Sequence, residues 1–446
     1  MGRNMSDVWR PSMYNLFAPI PGSSRYAGVN LVSGCCKSFT RTELCLLSEA
    51  EFFSQGHPVI EHFRKLGMVV NYDELKAMET VASLASAGRD RTVCLTVCPT
   101  MSCNFDCSYC YEPHGKGHMS EAVQDDVIEL AERMMKYSRA ENLVVRWFGG
   151  EPLLYPEIIE HLSGRLMELA ERYGASYKAW IFTNGYLLTE DVAELLGNCG
   201  VYRAHITLDG LQKTHDATRH LQGGGGTFEQ IVSNLSHKLP FDVTLHCTLR
   251  KENAGEKEAL RQLLEQLGEE SGNQFTPLFT PVMEGIKHEE RSGGFEPLPF
   301  EQKTELLLEE RAERFGPFFG VTCEANNLWN VGIDADGRLF RCWARMDQKK
   351  YSFGTAAEWD PSDPIHTADR ADKFNLYLNA FQDAPEECKA CVWHPICNSL
   401  CPTIRFLEIS GCPPWKNDPE AFVLAVYRKK YPHEAVKDTG EANAGE

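Results

Sequence analysis

From residue 91 onward, strand-like apolar runs alternate with helix-like stretches. The strand-like runs are TVCLTVCP, NLVVRWFGG, YKAWIFTNG, YRAHITLDG, DVTLHCTL and QFTPLFTPV. The stretches between them have helical periodicity, as in SEAVQDDVIELAERMM, where Val123, Val127, Leu130 and Met134 share one face. Repeated strand–helix units of this kind predict a parallel sheet covered by helices.

The alternation predicts an α/β fold in which the sheet curls into a partial (β/α)6 TIM-like barrel over residues 91–300. Turns that follow the strands of such a barrel lie together at its C-terminal mouth. We therefore expect the functional residues in those turns.

The segments on either side of the barrel differ from it in their predicted elements and in their composition. Residues 1–90 contain one strand-like run, YAGVNLVSG, and two amphipathic stretches, which predict a small α+β module. Residues 301–420 begin with a predicted linking helix, EQKTELLLEERAERFG, and continue as a loop-rich, cysteine-rich domain. Residues 421–446 predict a helix and a polar tail.

Composition narrows the function classes. The chain has 446 residues and a net charge of −18 without a long basic run, which argues against a nucleic-acid partner. It has no basic-then-apolar leader and no apolar run long enough to cross a membrane, so we expect no membrane association and a cytoplasmic location. Its 17 cysteines, clustered in a chain without a secretion signal, indicate metal binding or catalysis.

Three of these cysteines lie directly after the first predicted barrel strand, in the stretch SCNFDCSYCYE. Cys103, Cys107 and Cys110 have the spacing C-x3-C-x2-C. A 4Fe–4S cluster takes one protein thiolate per iron, so three cysteines leave one iron open to a small molecule. The alternative is a structural zinc ion with a fourth ligand from elsewhere in the chain.

This spacing, with Tyr109 before the last cysteine, resembles that of the radical S-adenosylmethionine (radical SAM) enzymes. The resemblance extends over residues 91–285 and includes a GGEP motif, an FTNG motif and the stretch ITLDGLQKTHDATR. It implies a SAM-binding 4Fe–4S cluster on the three cysteines, which are thereby the catalytic and metal-binding residues. The SAM contacts that it implies are Tyr109, Gly149, Gly150, Glu151, Asn184, Thr207 and Arg219.

The resemblance also implies a reaction. SAM binds the open iron, and one electron cleaves its sulfonium bond. The resulting 5′-deoxyadenosyl radical removes a hydrogen atom from an unactivated carbon, while the protein orients the reactants and excludes water.

Seven further cysteines resemble the SPASM domain of radical SAM peptide-modifying enzymes, which holds two auxiliary 4Fe–4S clusters. The resemblance implies one cluster on Cys388, Cys391, Cys397 and Cys412, and a second on Cys323, Cys342 and Cys401. The stretch RAERFGPFFGVT offers no fourth cysteine for the second cluster, so we expect an open iron there or a ligand from elsewhere. An open iron suits a substrate thiolate. The alternatives are a structural zinc site and a cluster that only conducts electrons.

The resemblance implies a radical SAM oxidoreductase that matures a ribosomally synthesised peptide (RiPP), most simply by a thioether between a cysteine sulfur and a carbon. The alternatives are an anaerobic sulfatase-maturating enzyme that forms formylglycine, a maturase that forms a carbon–carbon cross-link, and a non-catalytic iron–sulfur carrier. In sulfatase maturases an Asp follows the cysteine that matches Cys342. Here Trp343 does, and Asp347 is out of register. The 102 residues before Cys103 also favour cross-linking, because sulfatase maturases begin close to this motif.

The partners implied are a precursor peptide with a leader and a reductant such as flavodoxin or ferredoxin. Residues 1–90 would bind the leader as an added strand, or would only cap the barrel. The sequence leaves open the peptide, the residues joined, the fourth ligand of the second auxiliary cluster and the oligomeric state.

Overall fold

The computed structural model describes residues 8–54, 56–87, 91–110, 112, 114–282, 296–318, 323–346, 348–397, 401, 403 and 412–435. The chain forms two compact units, each built from separate segments. The smaller unit comprises Met1–Ala85, Glu301–Thr322 and Ala380–Glu446, and the larger comprises Ser86–Phe300 and Cys323–Asn379. The finer division at residues 90, 300 and 420 stays a prediction.

The strands are β1 (Arg10–Pro11), β2 (Asn15–Pro19), β3 (Tyr26–Asn30), β4 (Cys36–Phe39), β5 (Val69–Val70), β6 (Thr92–Val97), β7 (Asn142–Trp147), β8 (Ser176–Thr183), β9 (Val201–Thr207), β10 (Asp242–Leu249), β11 (Phe275–Pro281), β12 (Asn330–Ile333), β13 (Arg338–Phe340) and β14 (Gly354–Thr355). The described α-helices are α1 (Arg41–Ser48), α2 (Pro58–Lys65), α3 (Glu74–Ser86), α4 (Glu121–Ser138), α5 (Pro156–Arg172), α6 (Glu190–Asn198), α7 (Gln212–Asp216), α8 (Phe228–Leu235), α9 (Lys257–Ser271), α10 (Phe300–Glu313), α11 (Ala371–Leu378), α12 (Glu386–Lys389), α13 (Pro419–Lys430) and α14 (Pro432–Ala435).

The larger unit contains the predicted barrel sheet. Strands β6 to β11 pair in chain order, and every pairing among them is parallel. Helix α4 covers β6, α5 covers β7 and β8, α6 covers β9, and α9 covers β11. The predicted α/β fold with a partial (β/α)6 barrel is therefore confirmed, and all six carboxyl ends meet at one edge.

Burial alternates along these strands. In β8, Ala179 and Ile181 are 0% exposed, whereas Trp180 and Phe182 are only half-buried. Successive strand residues point to opposite faces of a sheet. One face of the sheet is thus buried in the core. The other face is partly exposed and carries polar and aromatic side chains.

The sheet is longer than the sequence predicts. Strand β12 pairs parallel with β6, and β13 and β14 follow it as antiparallel partners. The hairpin between β12 and β13 turns at Gly337, which adopts φ +77°, and Asp334 accepts the backbone N–H groups of Asp336 and Arg338. The segment after Cys323, expected to be mostly loop, therefore extends the barrel sheet next to the strand that precedes Cys103.

The smaller unit has a three-stranded antiparallel sheet, in the order β2–β3–β4, and a short β1–β5 pair. Helix α1 begins with a capping box between Thr40 and Glu43. Helix α13, near the C-terminus, packs on β2, β3 and β4. The predicted N-terminal α+β module is present, and C-terminal residues complete its core.

None of the helices in the described part of the chain has both the length and the apolar character needed to cross a membrane.

Candidate functional site

The three-cysteine loop, residues 102–110, follows β6 and is packed against the glycine pair after β7. Gly149 adopts φ +121°, and a Cβ added there would lie 2.2 Å from the carbonyl oxygen of Thr100. A Cβ on Gly150 would lie 2.2 Å from the carbonyl oxygen of Ser102. Only glycine permits this approach of the two backbones, which explains why the GG pair accompanies the cysteine spacing.

A second segment, residues 218–222, holds the other side of this loop. The backbone N–H of Ser108 donates to the Thr218 carbonyl at 3.0 Å, and that of Asp106 donates to the His220 carbonyl at 2.9 Å. Buried backbone groups need such partners. The loop therefore has a defined conformation, set by the turn after β7 on one side and by the segment after α7 on the other.

The thiols on the loop lie in surroundings that favour the neutral form. Burial, and then the charge of Glu151, raise the pKa of Cys103 to about 12. Burial, and then the charge of Glu112, raise the pKa of Cys110 to about 12. Cys107 is 7% exposed. Crowded thiols of this kind become thiolates when a metal supplies the compensating positive charge.

Glu151 of the GGEP motif faces into the protein. It is 0% exposed, and its Oε1 accepts from the Leu153 N–H at 2.9 Å and from the Thr183 hydroxyl at 2.7 Å. Its Oε2 accepts from the Asn184 N–H at 2.7 Å. Burial raises the pKa of this carboxyl, and the three donors partly offset that effect. The carboxylate thus ties the end of β7 to the end of β8, and its predicted contact with SAM stays a prediction.

Tyr109 and Arg219, both predicted to contact SAM, are brought together. Arg219 Nη1 donates to the Tyr109 hydroxyl oxygen at 2.7 Å, and that hydroxyl donates to Asp209. The other oxygen of Asp209 accepts from the Thr248 N–H at 2.7 Å. This chain of contacts connects the three-cysteine loop with the ends of β9 and β10.

His215 is hydrogen-bonded to the backbone of Asp209. Its Nδ1 accepts from the Asp209 backbone N–H at 3.1 Å, and its Nε2 lies 3.0 Å from the Thr227 hydroxyl. Burial, and then Arg219, lower the pKa of His215 to about 4. The ring is therefore neutral at pH 7, with its proton on Nε2.

Asn184 and Thr207 lie at the ends of β8 and β9, as predicted. Asn184 is 5% exposed; its Nδ2 donates to Asn104 Oδ1 at 2.7 Å and lies 4.0 Å from Cys103 Sγ. Thr207 is half-buried and pairs with His246 of β10. Asn184 is thus in contact with the three-cysteine loop, whereas Thr207 lies on the half-exposed face of the sheet.

The half-exposed face carries a group that we call the aromatic wall: Phe148, Phe182, His205 and Trp343. Of these four residues the sequence had pointed only to Trp343, and not for this packing. The Trp343 ring lies edge-on to Phe148 at 5.2 Å and to Phe182 at 5.3 Å, and Phe182 stacks on His205 at 4.5 Å. Trp343 is 40% exposed. Burial lowers the pKa of His205 to about 4, so this face is uncharged at these positions.

A sequence signal for this wall exists in the period-two alternation of YKAWIFTNG and YRAHITLDG. A fully packed barrel interior is filled by branched apolar residues. Here the alternate positions are aromatic or polar, which indicates a chamber rather than a core. Arg146 extends the same face: it forms an ion pair with Glu324, and its guanidinium lies 5.1 Å from the Trp180 ring centroid.

Cys323 and Cys342 lie together in the larger unit, packed around Ala325 and Tyr377. Cys342 is 7% exposed. Cys401, their predicted companion, belongs to the smaller unit. The predicted ligand set Cys323, Cys342 and Cys401 stays a prediction, and Asp347 lies outside the described residues.

The other four predicted ligands, Cys388, Cys391, Cys397 and Cys412, all belong to the smaller unit. Burial raises the pKa of Cys388, as do negative charges on Cys397, Glu387, Cys412 and Cys391. The backbone N–H of Cys391 donates to the Cys388 carbonyl at 3.1 Å. The four thiols are therefore electrostatic neighbours, and we name them the four-cysteine site.

These donor sets fit iron–sulfur clusters. Within the described residues, no three His, Cys, Asp or Glu side chains converge as the ligands of a single ion would. The thiolates of a 4Fe–4S cluster lie farther apart than the ligands of one ion, because each iron takes its own thiolate. Thiols grouped within short stretches, at 103–110 and 388–397, match that requirement.

The Radical SAM superfamily model matches residues 97–264 of this chain. A 219-residue segment is 25% identical to the sporulation killing factor maturation protein SkfB of Bacillus subtilis strain 168, and covers 49% of each chain. A 170-residue segment is 29% identical to an AdoMet-dependent heme synthase of Methanosarcina barkeri, and covers 35% of this chain and 42% of that protein. The chain spans about half the length of these curated relatives, or less.

Solved structures of other proteins share the fold, among them those of anSMEcpe and SuiB. The structure of anSMEcpe with bound AdoMet and Cp18Cys peptide has a TM-score of 0.55 and 17% identity, and covers 77% of this chain and 98% of that chain. The structure of Streptococcus suis SuiB bound to precursor peptide SuiA has a TM-score of 0.51 and 14% identity, and covers 91% of this chain and 98% of that chain.

Proposed function

We propose that this chain, whose residues 97–264 match the Radical SAM superfamily model, is a radical SAM enzyme that modifies a ribosomally synthesised precursor peptide. The radical SAM domain implies SAM and one 4Fe–4S cluster as cofactors. When bound, they supply a one-electron cleavage of SAM that yields a hydrogen-abstracting radical. The observation that carries the proposal is the three-cysteine loop, fixed against Gly149 and Gly150 at the carboxyl ends of the barrel strands.

In this proposal Cys103, Cys107 and Cys110 hold the SAM-binding cluster. The SAM contacts would come from the loop itself, from the neighbouring strand ends and from the segment after α7: Tyr109, Gly149, Gly150, Glu151, Asn184, Thr207 and Arg219. Arg219 is 9% exposed and bonded to Tyr109, so its guanidinium is held rigidly. Such a group orients an anionic part of a ligand by charge-assisted hydrogen bonds.

A peptide substrate is supported by two kinds of likeness. SkfB is a maturation protein, and the two solved structures described above, of anSMEcpe and SuiB, each contain a bound peptide. The half-exposed face of the barrel sheet also suits a peptide, because its aromatic wall offers uncharged contact area to side chains. The three-stranded sheet of the smaller unit is our candidate for leader binding by strand addition.

The product that we favour is a thioether cross-link. Auxiliary clusters on the seven C-terminal cysteines would then include one with an open iron on Cys323, Cys342 and Cys401, to which a substrate thiolate binds. Trp343 follows Cys342 and is packed on Phe148 and Phe182, at the position where formylglycine formation calls for an Asp. Formylglycine formation and carbon–carbon cross-linking are the alternatives.

The test begins with SAM cleavage in the anaerobically reconstituted protein. Cys107→Ala should abolish formation of 5′-deoxyadenosine, because it removes a cluster ligand. The matched control is Cys199→Ala, which removes a buried cysteine, 3% exposed, outside the motifs and should leave cleavage intact. Equal cleavage by both variants would refute the assignment of the three-cysteine loop.

The second part of the test addresses the product. A cysteine-containing precursor peptide should become lighter by two hydrogens and lose its reactivity to thiol alkylation. The same mass loss with thiols still free would indicate a carbon–carbon cross-link, and an aldehyde at the cysteine would indicate formylglycine.

A further inference from the structure

The four-cysteine site has cationic neighbours in a chain whose net charge is −18. Lys416 Nζ lies 3.3 Å from Cys412 Sγ, within hydrogen-bond reach of sulfur. Arg311 of α10 donates from Nη2 to the carbonyl of Ile396, the residue before Cys397. Two basic side chains therefore adjoin two of the four thiols, although acidic residues predominate in the chain.

Two buried donors in the same core point to a further feature. The Tyr14 hydroxyl and the Trp415 indole N–H have no hydrogen-bond partner among the described residues. Tyr14 is 0% and Trp415 4% exposed, and both belong to the hydrophobic core against which Cys388, Cys391 and Cys397 pack. A buried donor without an acceptor is destabilising, so two of them in one core indicate an acceptor that the described residues do not supply.

The sulfur atoms of an iron–sulfur cluster are such acceptors, and hydrogen bonds to them help set its reduction potential. A cluster on four thiolates is anionic and gains one more negative charge when it takes up an electron. Nearby cations stabilise the reduced form more than the oxidised form. Donors to sulfur act in the same direction because they stabilise accumulated negative charge.

We propose that Lys416, Arg311, Tyr14 and Trp415 surround the cluster of the four-cysteine site and raise its reduction potential. The proposal rests on the assignment of that cluster under the proposed function. These are positioning residues: none is a ligand, and each acts through charge or a hydrogen bond. The only step concerned is the uptake of one electron by the cluster, and in the test dithionite supplies that electron.

The test is an anaerobic redox titration followed by electron paramagnetic resonance, on protein that carries Cys103→Ala, Cys107→Ala and Cys110→Ala to remove the SAM-cluster signal. The signal of the four-cysteine site is the one that disappears on the further change Cys391→Ala. We expect Lys416→Met and Tyr14→Phe each to lower its midpoint potential. Lys416→Arg keeps the positive charge and should leave the midpoint potential at the value measured with Lys416.

Two controls separate this effect from general changes. Lys429→Met removes the same charge from the same unit, but Lys429 pairs with Glu313 at 3.1 Å, and the midpoint potential should not move. Tyr177→Phe removes a buried tyrosine hydroxyl that is bonded to Ser163 in the larger unit, and it should also have no effect.

The outcomes are distinct. Equal midpoint potentials for Lys416→Met and Lys429→Met, with an unchanged value for Tyr14→Phe, would overturn the proposal while leaving the cluster assignment intact. If Cys391→Ala removes neither iron nor a signal, the cluster assignment itself is wrong. A variant that loads less iron is compared by the potential of the cluster it retains, which occupancy does not alter.

Discussion

Protonation of His215 should weaken the larger unit in mild acid. The ring is 0% exposed, and its Nδ1 accepts the backbone N–H of Asp209. Protonation of Nδ1 would place two N–H donors opposite each other, that of the ring and that of the Asp209 backbone, and this hydrogen bond would be lost. The pKa of His215 is about 4 in the folded protein, against 6.5 for an ordinary histidine, with burial as the main cause and Arg219 as the next.

The sign and size follow from linkage. The unfolded chain takes up the proton first, so the contribution to stability is complete above pH 6.5 and is lost as the pH falls from 6.5 towards 4. With a pKa of 6.5 in the unfolded chain and about 4 in the folded protein, the free energy of unfolding falls by about 2 kcal/mol between pH 7.5 and pH 5. His215→Gln, which does not titrate, should remove this part of the pH dependence.

The assay is urea unfolding of the wild type and variants at pH 7.5 and pH 5. The loss on acidification should be about 2 kcal/mol smaller in His215→Gln than in the wild type. His237→Gln changes an exposed histidine of the same unit and should keep the wild-type pH dependence. Identical pH dependence in wild type and His215→Gln would refute the reasoning.

Three further predictions concern the site. Gly150→Ala should force the three-cysteine loop apart, cost about 1–3 kcal/mol and reduce cluster iron measured after reconstitution; Gly164→Ala, where a Cβ meets nothing within 4 Å, should not. Tyr109→Phe should weaken SAM binding, measured by equilibrium dialysis, without loss of iron, because it removes only the hydroxyl that links Arg219 to Asp209. Cys391→Ala should retain SAM cleavage but lose peptide modification, measured by mass spectrometry of the peptide; full modification would show that this cluster is dispensable.

Much of the barrel could be predicted from the chain because local pattern and global topology agree there. In α4, Val127, Leu130 and Met134 are all 0% exposed, on the face that the periodicity indicated. The six parallel strands follow from alternating elements, since consecutive parallel strands need a helical crossover. Long-range pairing was harder to predict: β12 beside β6 joins segments more than 200 residues apart, and no local pattern encodes that.

The candidate site shows the same contrast. The resemblance to radical SAM enzymes implied that Tyr109 and Arg219 belong to one site, and the structure brings their side chains together. The sequence could not show that the Glu151 carboxylate accepts hydrogen bonds from donors at the end of β8, because those contacts depend on where that strand ends. Trp343 was noted for its place in the sequence, but its packing on Phe148 and Phe182 depends on tertiary structure.

The central claim is a radical SAM peptide maturase with a SAM-binding cluster and two auxiliary clusters, and its most direct test is one anaerobic incubation. The protein is reconstituted with iron and sulfide, its iron is counted, and it is incubated with SAM, dithionite and a cysteine-containing precursor peptide. The account predicts about twelve irons per chain, 5′-deoxyadenosine, and a peptide that is lighter by two hydrogens and resists thiol alkylation. Four irons per chain, or zinc in place of iron at the C-terminal cysteines, with an unchanged peptide, would contradict it.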